Sequence, residues 1–328
     1  CVMRLSSSMI YQQNMQSITN AYSKFQSASL DLSNGKLVNK PSDDPIASAQ
    51  AVVLAQSQST NEQFATARDT ATSNLSLEST VLDQVTDVIQ NVQTLLVKAA
   101  STTYSDSDRQ SMKTELQGYK DQLLTLANTT DSNGNYIFAG YKTDTAPFVE
   151  DSDGNVSYVG SDSSVSQKVD ASRTMTTGDT GTTVFMSLAA GYKTEPDGSD
   201  SEINMFNSID TALTALDIPL DDTGDDTTIT DSYVAMFDKA NRGMSNSLDN
   251  VLTVQASVGS KLNELTTLDS IGDSRDLIYS DRMTSLKGSD VDDMYEMISN
   301  VTMQQVALQA AQSTFSSMKG MSLFEMNS

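Results

Sequence analysis

Carboxylates are the side chains of this 328-residue chain that could most readily act as acids, bases or metal ligands. The chain contains 43 Asp and Glu residues and no histidine. Without histidine, the chain can form no Ser-His-Asp triad, no Cys-His nucleophile and no histidine-containing zinc site. It also lacks a phosphate-binding loop and a dinucleotide-binding glycine pattern. A hydrolase with paired carboxylates therefore stays open, although a solvated acidic surface is the simpler interpretation.

Two acidic turns resemble the opening of a calcium-binding loop. Residues 131–135 (DSNGN) and 151–155 (DSDGN) place oxygen ligands close together, but neither run is followed by the Glu that an EF-hand requires. Both runs also suit hairpin turns, which is the interpretation we prefer. A third acidic stretch, residues 220–230 with four Asp residues in 221–226, is typical of a disordered linker, which we prefer to a site for a divalent ion. The sequence thus predicts no cofactor and no metal.

Apolar residues at helical spacing occur near both ends of the chain. The N-terminal seam consists of Tyr11, Met15, Ile18, Tyr22, Phe25 and Leu32. The C-terminal seam consists of Val291, Met294, Ile298, Val301, Leu308 and Phe315. Spacings of three, four and seven residues, as in both seams, are typical of a helix that packs along another helix.

The other faces of these two helices are almost free of charge. Lys24 is the only charged residue in 5–30, and 297–318 contains none. Because a face that only meets water usually carries many charges, we expect the two seams to pair with each other and to contact further copies of the chain. Alone, such helices should be marginally stable and should become ordered on assembly.

Long helices and a β-rich insertion are predicted between the seams. Apolar spacing in 75–96 and 237–265 indicates an antiparallel helical bundle. From residue 131, turn signals alternate with strand-like runs. These runs are 136–138, 156–159, 165–169 and 182–188. The predicted fold is mainly α with an inserted β-rich domain, a long-helix bundle and paired terminal helices that form a coiled coil on assembly. We expect five segments, with boundaries 1–45, 46–130, 131–200, 201–287 and 288–328.

A turn motif separates the first helix from the second. Its residues are Asn39, Pro41, Ser42, Asp43, Asp44 and Pro45. Asn34-Gly35 is a good helix stop, Asp44 can cap the next helix, and Pro45 suits its first turn. At the far end of the chain, Ser289 with Asp292 can cap the last helix.

Residues 32–45 (LSNGKLVNKPSDDP) resemble the hallmark near the amino end of bacterial flagellins and their relatives. Residues 301–312 (VTMQQVALQAAQ) are similar to the matching tail of that family, and 135–140 (NYIFAG), Pro147-Phe148 and 321–324 (MSLF) favour its junction branch. The resemblance implies a structural subunit, not an enzyme. Such a subunit would form a ring between hook and filament and seed filament assembly. The terminal helices would form an inner tube, with the bundle around them and the β-rich domain outside.

The resemblance also implies partners and a location. The expected partners are further copies in a homo-oligomeric ring, a neighbouring hook-associated protein on the hook side, flagellin or a second junction protein on the filament side, and a cytosolic export chaperone at the C-terminal helix. The expected location is the extracellular flagellum, reached by type III export without a cleavable signal peptide. Composition by itself favours a soluble cytosolic protein.

The net charge of -23 limits the other partners. Strong negative charge argues against nucleic acid and against anionic membrane surfaces. No apolar run reaches the length of a membrane span. Flagellin itself, and a surface-binding adhesin or translocator of a type III system, remain as alternative functions.

Overall fold

The structure is a computed structural model that describes residues 7–220 and 227–325. Within these ranges the chain forms seven α-helices and four β-strands. They are α1 (Ser7–Asn34), α2 (Pro45–Ala99), α3 (Asp106–Ala127), β1 (Phe148–Glu150), β2 (Val156–Tyr158), β3 (Ser166–Asp170), β4 (Arg173–Thr176), α4 (Gly181–Phe185), α5 (Met205–Leu216), α6 (Thr227–Lys287) and α7 (Val291–Glu325). The predicted fold, mainly α with inserted strands, is confirmed. Of the predicted acidic linker at 220–230, residues 221–226 lie outside the described ranges. The prediction is wrong for residues 227–230, which form the first turn of α6.

The chain divides into two compact units. The terminal unit contains the described parts of Cys1–Glu62 and Gly272–Ser328, and the central unit is formed by the described parts of Gln63–Ile271. Helices α2 and α6 are each divided between the two units, with one part in the terminal unit and one part in the central unit. The division into five segments stays a prediction.

The central unit has a continuous apolar core built on the predicted heptad seams. Its fully buried side chains include Leu75, Leu82 and Ile89 of α2, Leu116 and Leu123 of α3, and Phe237, Met244, Val258 and Leu265 of α6. The hydroxyl of Tyr233 donates a 2.6 Å hydrogen bond to the carbonyl of Ala99, which fixes the end of α2 against α6. The predicted helical bundle is therefore confirmed within this unit.

The strands form two antiparallel hairpins. Phe148 of β1 pairs with Tyr158 of β2, and Ser166 of β3 pairs with Thr176 of β4. In the first hairpin, the Asp151 carboxylate accepts hydrogen bonds from the backbone N–H groups of Asp153 and Asn155, each at 2.9 Å. These bonds occupy the carboxylate and explain the run at 151–155 as a turn, as predicted.

Two of the four predicted strands are wrong. Residues 181–185 form the short helix α4, because the Thr180 side chain accepts the backbone N–H of Thr183 and caps it. Phe185 then packs edge-on against Phe138, with ring centroids 5.3 Å apart. In the predicted strand at 136–138, Tyr136 makes an isolated bridge to Thr130 in place of a ladder.

Candidate functional site

The terminal unit buries very few apolar side chains. Among its described residues, Ala28 and Met297 are the only apolar side chains that are buried. In contrast, sixteen of the twenty-five exposed large apolar side chains that the structure describes lie in this unit, although it comprises about a third of the chain. A unit with little core and much exposed apolar surface is typical of a part that packs against other molecules.

Helices α1 and α7 pack against each other in antiparallel directions. The rings of Tyr11 and Phe315 lie 5.3 Å apart, and the Asn14 side-chain amide donates to the sulfur of Met318 at 3.3 Å. At the other end of the pair, the backbone N–H of Leu37 donates to the carbonyl of Gly288 at 3.1 Å. The predicted pairing of the terminal helices is confirmed, and it forms within a single copy of the chain.

The seam between α1 and α7 is shifted relative to the predicted one. Its least exposed positions are Asn14, Ile18, Ala21, Phe25, Ala28 and Leu32 in α1, and Met297, Val301, Gln304, Leu308, Ala311 and Phe315 in α7. Six predicted residues belong to it, namely Ile18, Phe25, Leu32, Val301, Leu308 and Phe315. The alanines were not predicted, because a seam is recognised in sequence by its large apolar side chains, whereas small ones let two helices approach closely.

The remaining predicted seam residues form an exposed row beside this seam. The outward row consists of Met15 (43% exposed), Tyr22 (57%), Val291 (71%), Met294 (46%) and Ile298 (47%). Tyr11 lies at the edge, since its ring contacts Phe315 while 54% of the residue stays exposed. The apolar stripe on each helix is thus wider than one partner helix covers.

The turn motif connects α1 to α2 through its own side chains. One Asp43 carboxylate oxygen accepts the backbone N–H groups of Asn39 at 3.2 Å and Lys40 at 2.8 Å. The Asn39 side-chain amide donates to the carboxylate of Asp31 at 2.8 Å, which ties the turn back to α1. The exposed residues Pro41 and Ser42 lie at the tip of this turn. The motif therefore has a structural explanation that requires no ligand.

Helix α2 begins as predicted. The Asp44 carboxylate accepts the backbone N–H groups of Ile46 and Ala47, each at 2.9 Å, and Pro45 is the first helical residue. The predicted cap of α7 is wrong by one residue. Asp290 and Asp293 form that cap, with the backbone N–H of Asp293 donating to the Asp290 carboxylate at 2.9 Å. Ser289 instead donates to the carbonyl of Thr284 and completes the end of α6.

Two glycines allow the turns that follow α1 and α6 in the terminal unit. Gly35 and Gly288 have φ angles of 65° and 58°, a region that favours glycine. At Gly288 an added Cβ would also lie 2.8 Å from the Cβ of Leu37. The α6–α7 corner thus requires a residue without a side chain.

The terminal unit has a second exposed apolar surface, which the seams did not predict. It is a groove between α2 and α6 that is lined by Ala49, Val53, Leu54, Ile278 and Leu286, among others. Val53 is 68% exposed and Ile278 62%. The signal was present, because residues 45–61 contain no charge.

Charge is also distributed unevenly between the two units. Counted along the sequence, the terminal unit has eight basic and twelve acidic residues, so most of the net charge of -23 belongs to the central unit. Electrostatic repulsion between two copies therefore acts mainly between their central units. The terminal unit can approach another molecule at little electrostatic cost.

The most deeply buried carboxylate pair lies in the central unit. Burial, and next the nearby Asp179 carboxylate, raise the pKa of Glu78 to about 8, so Glu78 holds its proton at neutral pH. The backbone N–H of Asp179 donates to Glu78 at 3.2 Å, and the Lys261 ammonium donates to the Asp179 carboxylate at 3.1 Å. These contacts link α2, the residues before α4, and α6.

In the ranges 7–220 and 227–325, no group of three or more Cys, Asp or Glu side chains is arranged to hold a metal ion. Across the same described helices, none combines the length and the apolar character needed to span a membrane.

Comparison with known proteins gives consistent matches. Residues 5–143 match the family model of the bacterial flagellin N-terminal helical region. The chain is 50% identical over 325 residues to the flagellar hook-associated protein 3 of Salmonella typhimurium, and the match covers 99% of this chain and 100% of the relative. The fold resembles that of hook-associated protein-3 from Legionella pneumophila, with a TM-score of 0.63, 19% identity, and coverage of 73% of this chain and 99% of the other. A second Legionella pneumophila structure, described as the flagellar junction protein FlgL, has a TM-score of 0.59, 19% identity, and coverage of 73% and 100%.

Proposed function

Because the chain belongs to the bacterial flagellin family, in the branch of the hook-associated protein 3, we propose that it is a structural subunit of the junction between the flagellar hook and filament. It is a component of the flagellum that assembles with hook and filament parts. The observation that carries this proposal is the terminal unit, which has little apolar core and whose helix pair α1 and α7 exposes an apolar row.

The outward row is the proposed contact between copies of the chain. Met15, Tyr22 and Ile298 already lose part of their surface to the helix pair, so covering the rest would contribute on the order of 1 kcal/mol per side chain. Because the row has members on both helices, several such contributions can add to the free energy of association. The family resemblance implies a ring, so head-to-tail contacts that close into a ring are the proposed arrangement.

The finer assignments follow the family. We propose that the ring contacts a neighbouring hook-associated protein on the hook side, and flagellin or a second junction protein on the filament side, where it seeds filament growth. A cytosolic chaperone would cover α7 before export, because this helix exposes Met294, Ile298 and Val306. Export would proceed through the type III apparatus without a cleavable signal.

Deletion of the gene, followed by electron microscopy, tests the proposal. We expect hooks without filaments and flagellin released into the medium, with filaments restored when the gene is returned. Filaments of normal number and length on the deletion strain would refute it. If the purified chain polymerises into long filaments by itself, it is a filament subunit and the junction role is wrong.

A further inference from the structure

Methionine is concentrated in the terminal unit. Ten of the sixteen methionines of the sequence fall within its boundaries. Wherever the structure describes side chains, every exposed methionine belongs to this unit. These are Met9 (57% exposed), Met15 (43%), Met294 (46%) and Met303 (63%). In the central unit Met112, Met175, Met205 and Met244 are buried, and Met186 and Met236 are half-buried.

Two of the four exposed methionines occupy the surface that the proposed function assigns to assembly. Met15 and Met294 belong to the outward row, and Met303 lies further along α7. A flexible, polarisable thioether adapts to irregular partner surfaces, which suits such a contact. The same sulfur is open to oxidants for as long as the chain is unassembled.

We propose that Met15, Met294 and Met303 are oxidation sites that control assembly. Hydrogen peroxide would convert them to sulfoxides in the unassembled chain, and neither the oxidised outward row nor the α7 surface at Met303 would still pack against another copy. This inference rests on the proposed function. In each step a sulfur lone pair attacks one peroxide oxygen, the O–O bond breaks, an S–O bond forms and water leaves. The sulfur loses two electrons and the peroxide gains them.

The physical reason is desolvation of the new oxygen. A sulfoxide oxygen is a strong acceptor, and burying it without a donor would weaken association by about tenfold or more for each site. The pair of α1 and α7 should survive, because Met297 is 1% exposed and lies inside it. Oxidation would therefore remove assembly and leave the folded monomer intact.

The first experiment locates the sulfoxides. The purified full chain is treated with hydrogen peroxide, digested and analysed by peptide mass spectrometry over time. We expect Met15, Met294 and Met303 to be oxidised well before Met112, Met205 and Met244. Equal rates in the two groups would overturn the inference.

The second experiment measures assembly. Untreated and peroxide-treated chain is added to cells that lack the gene, and filaments are counted by electron microscopy. We expect treated chain to restore at least tenfold fewer filaments, and methionine sulfoxide reductase with dithiothreitol to reverse the loss. After peroxide treatment, the triple variant M15L/M294L/M303L should restore as many filaments as it does untreated. The matched central-unit variant M186L/M236L should lose filament restoration, as the natural chain does. Comparing each variant with itself before and after treatment removes any change in its starting activity.

The outcomes separate the two proposals. If untreated chain restores filaments and treated chain restores them equally, oxidation control is wrong while the junction role stands. The same conclusion follows if the triple variant is inactivated as strongly as the natural chain. If untreated chain restores no filaments, the junction role fails and the inference fails with it.

Discussion

Two neighbouring residues of α7 give a direct test of the outward row. Ile298 is 47% exposed and lies in that row, whereas Met297 is 1% exposed and lies between α1 and α7. Substituting each in turn by Asp introduces the same charge at adjacent positions. Ile298→Asp should leave the monomer folded and block assembly, and Met297→Asp should disrupt the helix pair itself.

The expected magnitudes differ in the monomer. Ile298→Asp loses part of the burial of one side chain and some helix propensity, which together cost about 1 kcal/mol. Met297→Asp loses a fully buried side chain and places a carboxylate in an apolar seam, which costs about 3 kcal/mol or more. In the assembled state the carboxylate that Ile298→Asp introduces would also be buried without a partner, so association should weaken by about a hundredfold or more.

The assay must report on the terminal unit specifically. This unit has a small core, so its unfolding contributes little to a melting curve of the whole chain. Hydrogen exchange of the α1 and α7 amides measures the helix pair, and filament restoration on the deletion strain measures assembly. Ile298→Asp should show exchange close to that of the natural chain and no restored filaments. Equal acceleration of α1 exchange by both substitutions would place Ile298 inside the pair. Normal restoration by Ile298→Asp would show that the outward row is not a contact.

Three further predictions address other parts of the chain. In limited proteolysis of the proven monomer, cleavage should occur first before Pro45 and after Gly288, since Ala28 and Met297 are the only buried apolar side chains described there; survival of both ends would contradict this. Gly288→Ala should destabilise the terminal unit by about 1–3 kcal/mol in hydrogen exchange, because Gly288 has a φ of 58° and the new Cβ would clash with Leu37. Gly259 in α6 has open space around it, so Gly259→Ala should be neutral or stabilising in the same assay. Glu78 has a folded pKa raised from 4.5 to about 8, so its contribution is complete below the lower value and is lost as the pH rises toward the upper one. Glu78→Gln should therefore reduce the fall in melting temperature between about pH 5 and about pH 9, and an unchanged fall would argue against a raised pKa.

The sequence predicted the terminal pairing but not its register. Spacing alone cannot distinguish Met15 and Tyr22 from Asn14 and Ala21, because both sets repeat every seven residues. The choice depends on how closely α7 approaches α1. Small side chains at Ala21 and Ala28 let the two backbones come together, and Met15 and Tyr22 stay outside the seam.

Local signals were sufficient where one residue determines the backbone. Gly35 ended α1 and Asp44 capped α2 as predicted. They were insufficient at 182–188, where a run of β-branched and apolar residues indicates a strand. There Thr180 starts a helical turn, and Phe185 packs with Phe148 at a ring separation of 5.2 Å. That contact depends on residues far along the chain, so a local window could not reveal it.

The antiparallel pair also has a consequence for biosynthesis. Asn14 and Met318, which touch through an amide and a sulfur, are 304 positions apart. During translation α1 leaves the ribosome long before α7, the helix that covers its inner seam. A nascent chain released at Gly288 would therefore present Ile18, Phe25 and Leu32 without their partner, a state in which cellular proteases and holding chaperones can tell an unfinished molecule from a complete one.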